Sequence, residues 1–327
     1  MTVTRRSPLG LSGMDPATYE PHPAHCAGRS YRETNCYADV LIELLHSRGH
    51  EPVAALGFIA RTDWEGDQFT YAKPPPADME RLFGIDVHEM LPHRSVPEHI
   101  REQLSRGRTV LVEIDAYYLP DTAGTSYRTD HLKTTIAPDL IDEHQEQLRY
   151  FHNGGLWELS GEDYRGAFRQ LPQFTEDVML PFIEIVRFDA GPPLKGAELR
   201  AAARELLAAH YRRRPAVNPF LSWSECLPGD MERLAGREVK AYHEYAFVTV
   251  RMVGSAFELL ADHVEWLFGA DGADAATEFR AITEQSMPVS FRIARRRPFD
   301  AAEALRPMIE AYERGMESLG RQLGEWS

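Results

Sequence analysis

The sequence predicts an α+β domain followed by an all-α domain. Three observations support this fold class. An amphipathic helical pattern begins near residue 36, short segments rich in β-branched residues lie between residues 109 and 188, and helical periodicity returns after Gly191. At 327 residues the chain is long enough for more than one hydrophobic core. We therefore predict an α+β domain over residues 1–190 and an α-helical domain over residues 191–327.

The first regular element is an amphipathic helix that follows a stretch rich in proline and histidine. Its apolar residues are spaced by three and four positions, as one face of a helix requires: Tyr37, Val40, Leu41, Leu44 and Leu45. Gly49 ends the pattern, and Asn35 occupies a position that suits a helix N-cap. Cys36 is thereby predicted to be the first residue of the helix.

Four segments are predicted to form strands. Residues 109–114 are a continuous apolar run, typical of a strand buried on both faces, whereas residues 131–137 and 147–153 are mixed. Because turn-forming residues separate the two mixed segments, we predict an antiparallel hairpin that turns near Asp142. In that register, paired residues have numbers that sum to about 284. Residues 179–188 are predicted as a further strand.

Helical periodicity dominates the C-terminal part of the chain. The predicted helices cover residues 198–214, 231–268, 273–294 and 301–324. We expect these helices to form a bundle, because each apolar stripe must be buried against another element.

Composition and charge restrict the class of partner. The formal net charge is −14 and the pI is about 5.4, so the average surface would repel a nucleic-acid backbone or an anionic membrane. The three cysteines, Cys26, Cys36 and Cys226, form no CxxC pair, and neither a leader sequence nor a membrane-spanning apolar run is evident. We therefore expect a cytoplasmic protein. No HExxH, Walker or GxGxxG motif occurs, so we expect no metal or bound cofactor.

Cys36 is the candidate nucleophile. A thiol attacks as the thiolate, and a helix N-terminus favours the anion because its unpaired N–H groups and macrodipole carry partial positive charge. The alternative is a small residue that only packs at the helix start. The residues that would act with the thiol decide between these two roles.

His131 and Asn153 are the candidate base and orienting residue. In the predicted hairpin they face each other at the open end, within reach of an imidazole–amide hydrogen bond. Such an amide would fix the ring tautomer, as the third member of a Cys-His-Asn triad does. Asp142 lies too far along the strand to do so, and His152 points to the other face. Taken singly, His131 could be a surface histidine and Asn153 a turn residue.

Three segments resemble an uncharacterised family that is itself similar to the N-terminal domain of the butirosin-type acyltransferases: residues 35–45, 112–136 and 150–164. The resemblance extends over about residues 20–190. It implies a papain-like fold whose cysteine takes an acyl group from a carrier-protein thioester and passes it to an amine. The roles of nucleophile, base and orienting residue carry over to Cys36, His131 and Asn153.

The resemblance also implies a donor. Genes of the closer family are often neighbours of aminoacyl carrier-protein ligase genes, which implies an aminoacyl or modified aminoacyl thioester. One position departs from the papain pattern, because Ser30 stands where a peptidase places its oxyanion-hole glutamine. The oxyanion would then be held by the backbone N–H of Cys36 together with another donor, Asn35 or Arg32.

Further residues could bind substrate. Asp115, Tyr117 and Tyr118 follow the buried strand and could line an acceptor pocket, or could be a strand end with packed tyrosines. Lys133 lies two positions from His131 on the same strand face. It could hold a carboxylate of the substrate or could simply be solvated.

A basic cluster near the C-terminus could bind a protein partner. Its members are Arg292, Arg295, Arg296 and Arg297, within an otherwise acidic chain. Carrier proteins are acidic, so the cluster could be their docking surface. A run of charges is, however, usually only a solvated face.

The expected function is acyl transfer in small-molecule biosynthesis. His131 would deprotonate Cys36, the thiolate would take the acyl group from a carrier-protein phosphopantetheine thioester, and an amine acceptor would resolve the acyl-enzyme. Two alternatives stay open. One is a cysteine peptidase, amidase or thioester hydrolase of the same fold, and the other is a non-catalytic protein that binds a carrier protein.

Overall fold

An antiparallel sheet and a set of helices make up residues 9–176 and 178–325, the part of the chain that the computed structural model describes. These residues form two compact units. The first contains residues 9–26, 35–52 and 79–193, and the second contains residues 27–34, 53–78 and 194–325. The predicted α+β class and the helical C-terminal region are confirmed.

Seven strands and four α-helices are described before residue 194, besides short 3-10 helices. The strands are β1 (Leu9–Gly10), β2 (Asp86–Met90), β3 (Thr109–Asp115), β4 (Lys133–Asp142), β5 (Gln147–His152), β6 (Gly155–Ser160) and β7 (Ile183–Arg187). The helices are α1 (Cys36–Ser47), α2 (Pro76–Phe83), α3 (Val96–Ser105) and α4 (Glu162–Ala167). Cys36 is thus the first residue of α1, as predicted, and the Asn35 side chain caps the helix by accepting from the N–H groups of Tyr37 and Ala38 at 3.1 and 2.9 Å.

The sheet is antiparallel throughout its described part, in the order β2-β7-β3-β4-β5-β6, and β1 adds to the end of β4. β3 lies between β7 and β4, and its residues Val110, Leu111 and Val112 are buried on both faces. A strand without an exposed face requires the continuous apolar run that the sequence has there.

The predicted register of the β4–β5 hairpin is wrong. Asp142 pairs with Gln147 and Ala137 pairs with Phe151, because β4 continues through the segment that resembled a turn. Pro138 and Asp139 gave that segment its turn-like character. Asp139 is instead buried in the strand, where its carboxylate accepts from Arg149 Nε at 2.7 Å and from the N–H of Ser12 at 3.0 Å. The ladder also shifts by one residue between Pro138 and Leu140.

Helices cover both faces of the sheet. On one face, α3 and α4 pack in a core cluster with strand residues that include Val112, Ile136 and Tyr150. On the other face, Phe151 contacts the ring of Tyr19, whose hydroxyl bonds to Glu43 of α1. Consecutive strand residues point to opposite faces, so α1 lies on the face opposite to α3 and α4.

The second unit is helical. After residue 194 it contains α5 (Gly196–Arg212), α6 (Pro219–Leu234), α7 (Val239–Tyr245), a π-helix (Ala246–Arg251), α8 (Met252–Phe268), α9 (Ala273–Ala294) and α10 (Ala301–Leu323). The predicted helix over residues 273–294 coincides with α9. The predicted helix over residues 231–268 is divided, because Gly236 adopts a φ of +81° between α6 and α7. Among the helices of the described ranges, none is long and apolar enough to cross a membrane.

A short segment before Cys36, residues 27–34, belongs to this helical unit. The carboxylate of Glu258 accepts from the N–H groups of Ser30 and Tyr31 at 3.1 and 3.3 Å. The hydroxyl of Tyr31 bonds to Ser286 at 2.9 Å, and Arg29 pairs with Asp262. The segment is therefore fixed by side chains of α8 and α9.

Gly84 is expected to be a position where any side chain disrupts the first unit. Its φ is +63°, and a Cβ atom there would lie 2.0 Å from the carbonyl oxygen of Gly191. We expect Gly84→Ala to lower the free energy of unfolding by about 3 kcal/mol or more, because it adds a backbone clash to the unfavourable φ.

Gly107 provides the matched control, since its φ is +71° and a Cβ atom would have no neighbour within 4 Å. Gly107→Ala should cost only about 1 kcal/mol. Urea unfolding of both variants beside the unmodified protein measures the difference. Equal losses in the two variants would contradict the predicted clash.

Candidate functional site

A cleft of about 570 Å³ opens where β3 ends and β4 begins. The polar residues at the strand ends are Glu113, Asp115, His131 and Lys133, and Ser95, Arg169 and Glu176 also line the cleft. Much of the remaining lining is apolar, including Leu132, Phe174, Val178, Met179 and Leu180. Met179 is 94% exposed, which is unusual for so large an apolar side chain. Apolar walls with a few convergent polar groups are typical of small-molecule sites.

His131 and Asp115 form a hydrogen-bonded pair in this cleft. His131 Nδ1 lies 2.6 Å from Asp115 Oδ2. Because a carboxylate only accepts, Nδ1 carries the hydrogen of this bond, and Nε2 is left for another partner. The side chain of His131 is 66% exposed, so this nitrogen is accessible to a ligand.

Asp115 is itself held in place by the backbone. Its second carboxylate oxygen accepts from the N–H of Tyr117 at 3.0 Å and thereby caps the short 3-10 helix Ala116–Tyr118. The ring of Tyr117 stacks on the imidazole of His131 with 4.4 Å between centroids and 13° between planes. These contacts fix both the orientation and the tautomer of His131.

Of the other predicted substrate-binding residues, Tyr118 lies in the core and Lys133 lies in the cleft. Tyr118 is 4% exposed and packs in the core against Gly166 and Phe174, so it corresponds to a packed strand-end tyrosine. Lys133 lines the cleft, and its ammonium group donates to Glu113 at 2.6 Å.

Asn153 does not occupy the position that the predicted hairpin gave it. β5 ends at His152, and Asn153 lies in the turn before β6 with a φ of +46°, a conformation that Asn and Gly favour. Asn153 does not face His131 because the observed pairing of β4 with β5 is shifted by about four residues from the predicted pairing. The carboxylate of Asp115, from the preceding strand, orients the ring of His131 in its place.

A second histidine, His152, lies in a buried chain of hydrogen bonds that the sequence does not predict in full. His152 Nδ1 is 2.5 Å from Asp121 Oδ2, and its Nε2 is 2.7 Å from the hydroxyl of Thr134. Tyr150 donates to the other oxygen of Asp121 at 2.5 Å, and burial beside that charge raises the pKa of Tyr150 well above its usual range. The His152 and Asp121 side chains are 2% and 3% exposed, so this chain supports the core and is closed to substrate.

The sequence predicts only part of the hydrogen-bonded chain around His152. The alternation along β5 predicts that His152 points away from α1. Thr134 lies in β4, where it pairs with Ile114 of β3. Asp121 lies in the short helical turn Pro120–Thr122 after β3, where no periodicity indicates its partner.

Cys36 is half-buried at the start of α1, and it is not among the described residues that line the cleft. The C-terminal end of α1 lies beside the middle of β4, since Leu44 and Ser47 share a small cavity with Pro138 and Asp139. A helix of 12 residues is about 18 Å long, which corresponds to roughly five residues of a strand. This length brings the start of α1 towards the start of β4, where the His131 pair lies.

A buried histidine holds the first turns of α1. His25 bonds to Glu43 through Nδ1 and lies 3.3 Å from Asp39 Oδ1 through Nε2, and both carboxylates are fully buried. Burial lowers the pKa of His25, but its bonds to Asp39 and Glu43 outweigh that effect and raise the pKa to about 9. Gly154, in the β5–β6 turn, packs directly on the His25 side chain. The start of α1 is thereby fixed at the same end of the sheet as this turn.

The remaining predicted residues lie outside the cleft. Asn35 serves as the helix cap, and Ser30 is bound by Glu258. The arginines from 292 to 297 are exposed at the C-terminal end of α9. Across residues 9–176 and 178–325, no group of three His, Cys, Asp or Glu side chains could hold a metal ion.

The first unit is therefore an α+β structure with a His–Asp pair in an open, largely apolar cleft, and the second unit is helical. The chain belongs to the DUF1839 family: residues 20–188 match the DUF1839 N-terminal domain and residues 196–321 match the DUF1839 C-terminal domain. A comparison with curated proteins gave no match.

The His25 cluster predicts a specific pH dependence of stability. Because its pKa is raised in the folded state, the contribution of His25 is complete below about pH 6.5 and is lost as the pH rises through about 9. We expect the free energy of unfolding to fall over this window by on the order of 3 kcal/mol.

Equilibrium unfolding of the intact protein and of His25→Gln, at several pH values, tests this prediction. The variant should be less stable at pH 6.5 and should show a flatter profile up to pH 9. Parallel profiles for the two proteins would show that His25 does not carry the dependence.

Proposed function

We propose that this protein is an acyltransferase that moves an acyl group from a thioester to an amine, with His131 as the general base. The observation that carries the proposal is the His131–Asp115 pair at 2.6 Å in an accessible, apolar cleft. A histidine whose Nδ1 is held by a carboxylate presents Nε2 for proton transfer, as in Cys-His and Ser-His enzymes. Asp115 takes the orienting role that the sequence analysis assigned to Asn153.

Cys36 is the proposed nucleophile. Its position at the first residue of α1 gives the thiolate the partial positive charge of the helix N-terminus. The length of α1 and the contact between His25 and Gly154 support a place for Cys36 at the end of the sheet where β4 begins. Cys36 is not among the residues that line the cleft, so the proposal requires the thiol to lie within hydrogen-bond reach of His131 Nε2 in the reactive complex.

The proposed reaction has two steps. His131 Nε2 accepts the Cys36 proton, the sulfur attacks the thioester carbonyl carbon, and the donor thiol leaves with that proton. The amine then attacks the acyl-enzyme carbonyl, His131 takes a proton from the amine, and Cys36 leaves as a thiol when that proton is returned. The products are an amide and the free donor thiol, so no external oxidant or reductant is needed.

The lining of the cleft suits this chemistry. The side chains of Phe174, Val178 and Leu180 offer an apolar surface for the acyl group and for exclusion of water. The ammonium group of Lys133 lies in the same cleft and could stabilise the developing oxyanion, together with the N–H of Cys36. A carrier-protein phosphopantetheine thioester is the proposed donor and a small-molecule amine the proposed acceptor.

The proposal includes a papain-like fold and a relation to the butirosin-type acyltransferases. Two features support it: a helix that starts at a cysteine, and an antiparallel sheet with a histidine just before a strand that packs against that helix. The expected Asn is replaced by an Asp from the neighbouring strand, and a carboxylate can orient the ring equally well.

Thioester hydrolysis is the second candidate, with water in place of the amine. The exposure of His131 favours it, because water reaches the ring as readily as an amine does. Measuring thiol release from a pantetheine thioester with and without an amine separates the two functions. Release that does not depend on the amine identifies a hydrolase, and binding without release identifies a carrier-binding protein.

Cys36 should become acylated when donor is supplied without acceptor. Intact-protein mass spectrometry should show one added acyl group, and the mass should return to its original value when amine is added. Cys36→Ala should lose transfer activity at least about 100-fold. Cys26→Ala, which removes the exposed thiol of the same unit, should be unaffected. Full activity of Cys36→Ala would leave direct attack by the amine as the only acyl-transfer route.

His131→Ala should lower kcat/KM by about 10²- to 10⁴-fold, the usual contribution of a general base. Asp115→Asn should cause a smaller loss, because the ring stays but its tautomer is no longer fixed. His88 and Asp86 offer a matched control, since they form an exposed pair at 3.1 Å on β2. If His88→Ala and His131→Ala reduce activity equally, His131 is not the base.

A further inference from the structure

The π-helix and the C-terminal end of α9 form one exposed surface in the helical unit. A π-helix is rare and frequently marks a functional position. The two elements contact each other, and each exposes two large apolar side chains: Phe247 and Val248 on the π-helix, Met287 and Phe291 on α9. Each of these side chains is 45–48% exposed. We call these four residues the apolar centre.

The packing of α8 on α9 brings the apolar centre together. These helices are antiparallel neighbours joined by the short turn Gly269–Gly272, and Thr283 donates to the carbonyl of Gly254 at 2.8 Å. Phe247 lies about two turns before Gly254, and Phe291 lies about two turns after Thr283. The two phenylalanines are therefore at a similar height on adjacent helices.

Arginines surround the apolar centre. The guanidinium of Arg295 lies 4.0 Å from the ring centroid of Phe291, Arg297 lies 6.0 Å from the same ring, and Arg251 lies 4.8 Å from that of Phe247. Stacking on an aromatic ring holds a guanidinium in a fixed position at the surface.

The arginines from 292 to 297 differ from others in the same unit. Arg280 and Arg314 pair with carboxylates of Glu265 and Glu278. Within the part of the chain that the structure describes, Arg295 and Arg297 have no carboxylate within 4 Å. Their charges are therefore not neutralised locally, in a protein whose net charge is −14.

We propose that this surface docks the carrier protein that delivers the acyl group, through an acidic amphipathic helix of that protein. The inference rests on the proposed function for the identity of the partner. The chemistry follows from the surface: Phe, Met and Arg are enriched in protein interfaces, and an apolar centre with a basic rim complements apolar residues flanked by carboxylates.

Other occupants fit less well. A symmetric dimer through this surface would bring the arginines of one copy against those of the other. A nucleic acid could pair with the basic rim but would leave the four apolar side chains without specific partners.

Binding and kinetics together test the docking proposal. The probe is a purified holo acyl carrier protein without an acyl group, and the variants of the full-length protein are Arg295→Glu/Arg297→Glu and Phe291→Ala. Both should raise the Kd about tenfold or more. They should lower kcat/KM for the carrier-bound thioester by a similar factor, and leave kcat/KM for a free pantetheine thioester unchanged.

Arg204→Glu is the matched control. Arg204 is also an exposed helical arginine over an aromatic ring, 5.4 Å from the centroid of Phe268, and it lies on α5. It should bind the carrier protein as the unmodified protein does. A circular dichroism melt of each variant confirms that the fold is retained.

Several results would overturn the proposal. The first is an unchanged Kd for the double variant, and the second is an increase in Kd for Arg204→Glu as large as that for the double variant. The third is an equal loss of kcat/KM with the carrier-bound and the free thioester. The fourth is binding to phosphatidylglycerol vesicles that depends on Arg295 and Phe291, without binding to the carrier protein. Failure of the proposed function looks different. In that case neither thioester would be consumed, while the Kd for the carrier protein would still depend on Arg295 and Phe291.

Discussion

The carboxylate of Asp115 is the contact on which the candidate site depends. One oxygen caps the turn after β3, and the other holds the ring of His131 just before β4. The central residues of β3, Val110, Leu111 and Val112, are buried, and β3 pairs with a strand on each side, so Asp115 projects from a strand that the sheet holds on both edges. A base oriented from a rigid strand needs little reorganisation when a proton is transferred. The orientation of His131, and with it the proposed chemistry, rests on this pair.

The elements that the sequence predicts correctly have local signals. Asn35 and Cys36 begin α1 because a side-chain cap and an apolar stripe act within a few residues. β3 is recognised by its apolar run and α9 by its periodicity. Where a local signal is weak, as at Gly236 between α6 and α7, the predicted helix is too long. Periodicity alone does not show where one helix ends and the next begins.

The errors in the site arise from contacts between distant residues. Asp139 resembles a turn residue beside Pro138, yet it is buried inside β4 with a bond to Arg149, and the register of the hairpin differs from the predicted one by about four positions. That shift removes Asn153 from the predicted site. Asp115 was expected near the substrate, but its bond to His131 joins residues 16 positions apart across two strands. The buried pair of His152 and Asp121 arises in the same way.

The most direct test of the account is the rate at which Cys36 reacts with iodoacetamide near neutral pH. If Cys36 and His131 act together, Cys36 should react faster than the exposed Cys26, and His131→Ala should remove the difference. Mass spectrometry of the alkylated peptides assigns each rate to its cysteine. Equal rates at the two cysteines, unchanged by His131→Ala, would contradict a thiol site at Cys36.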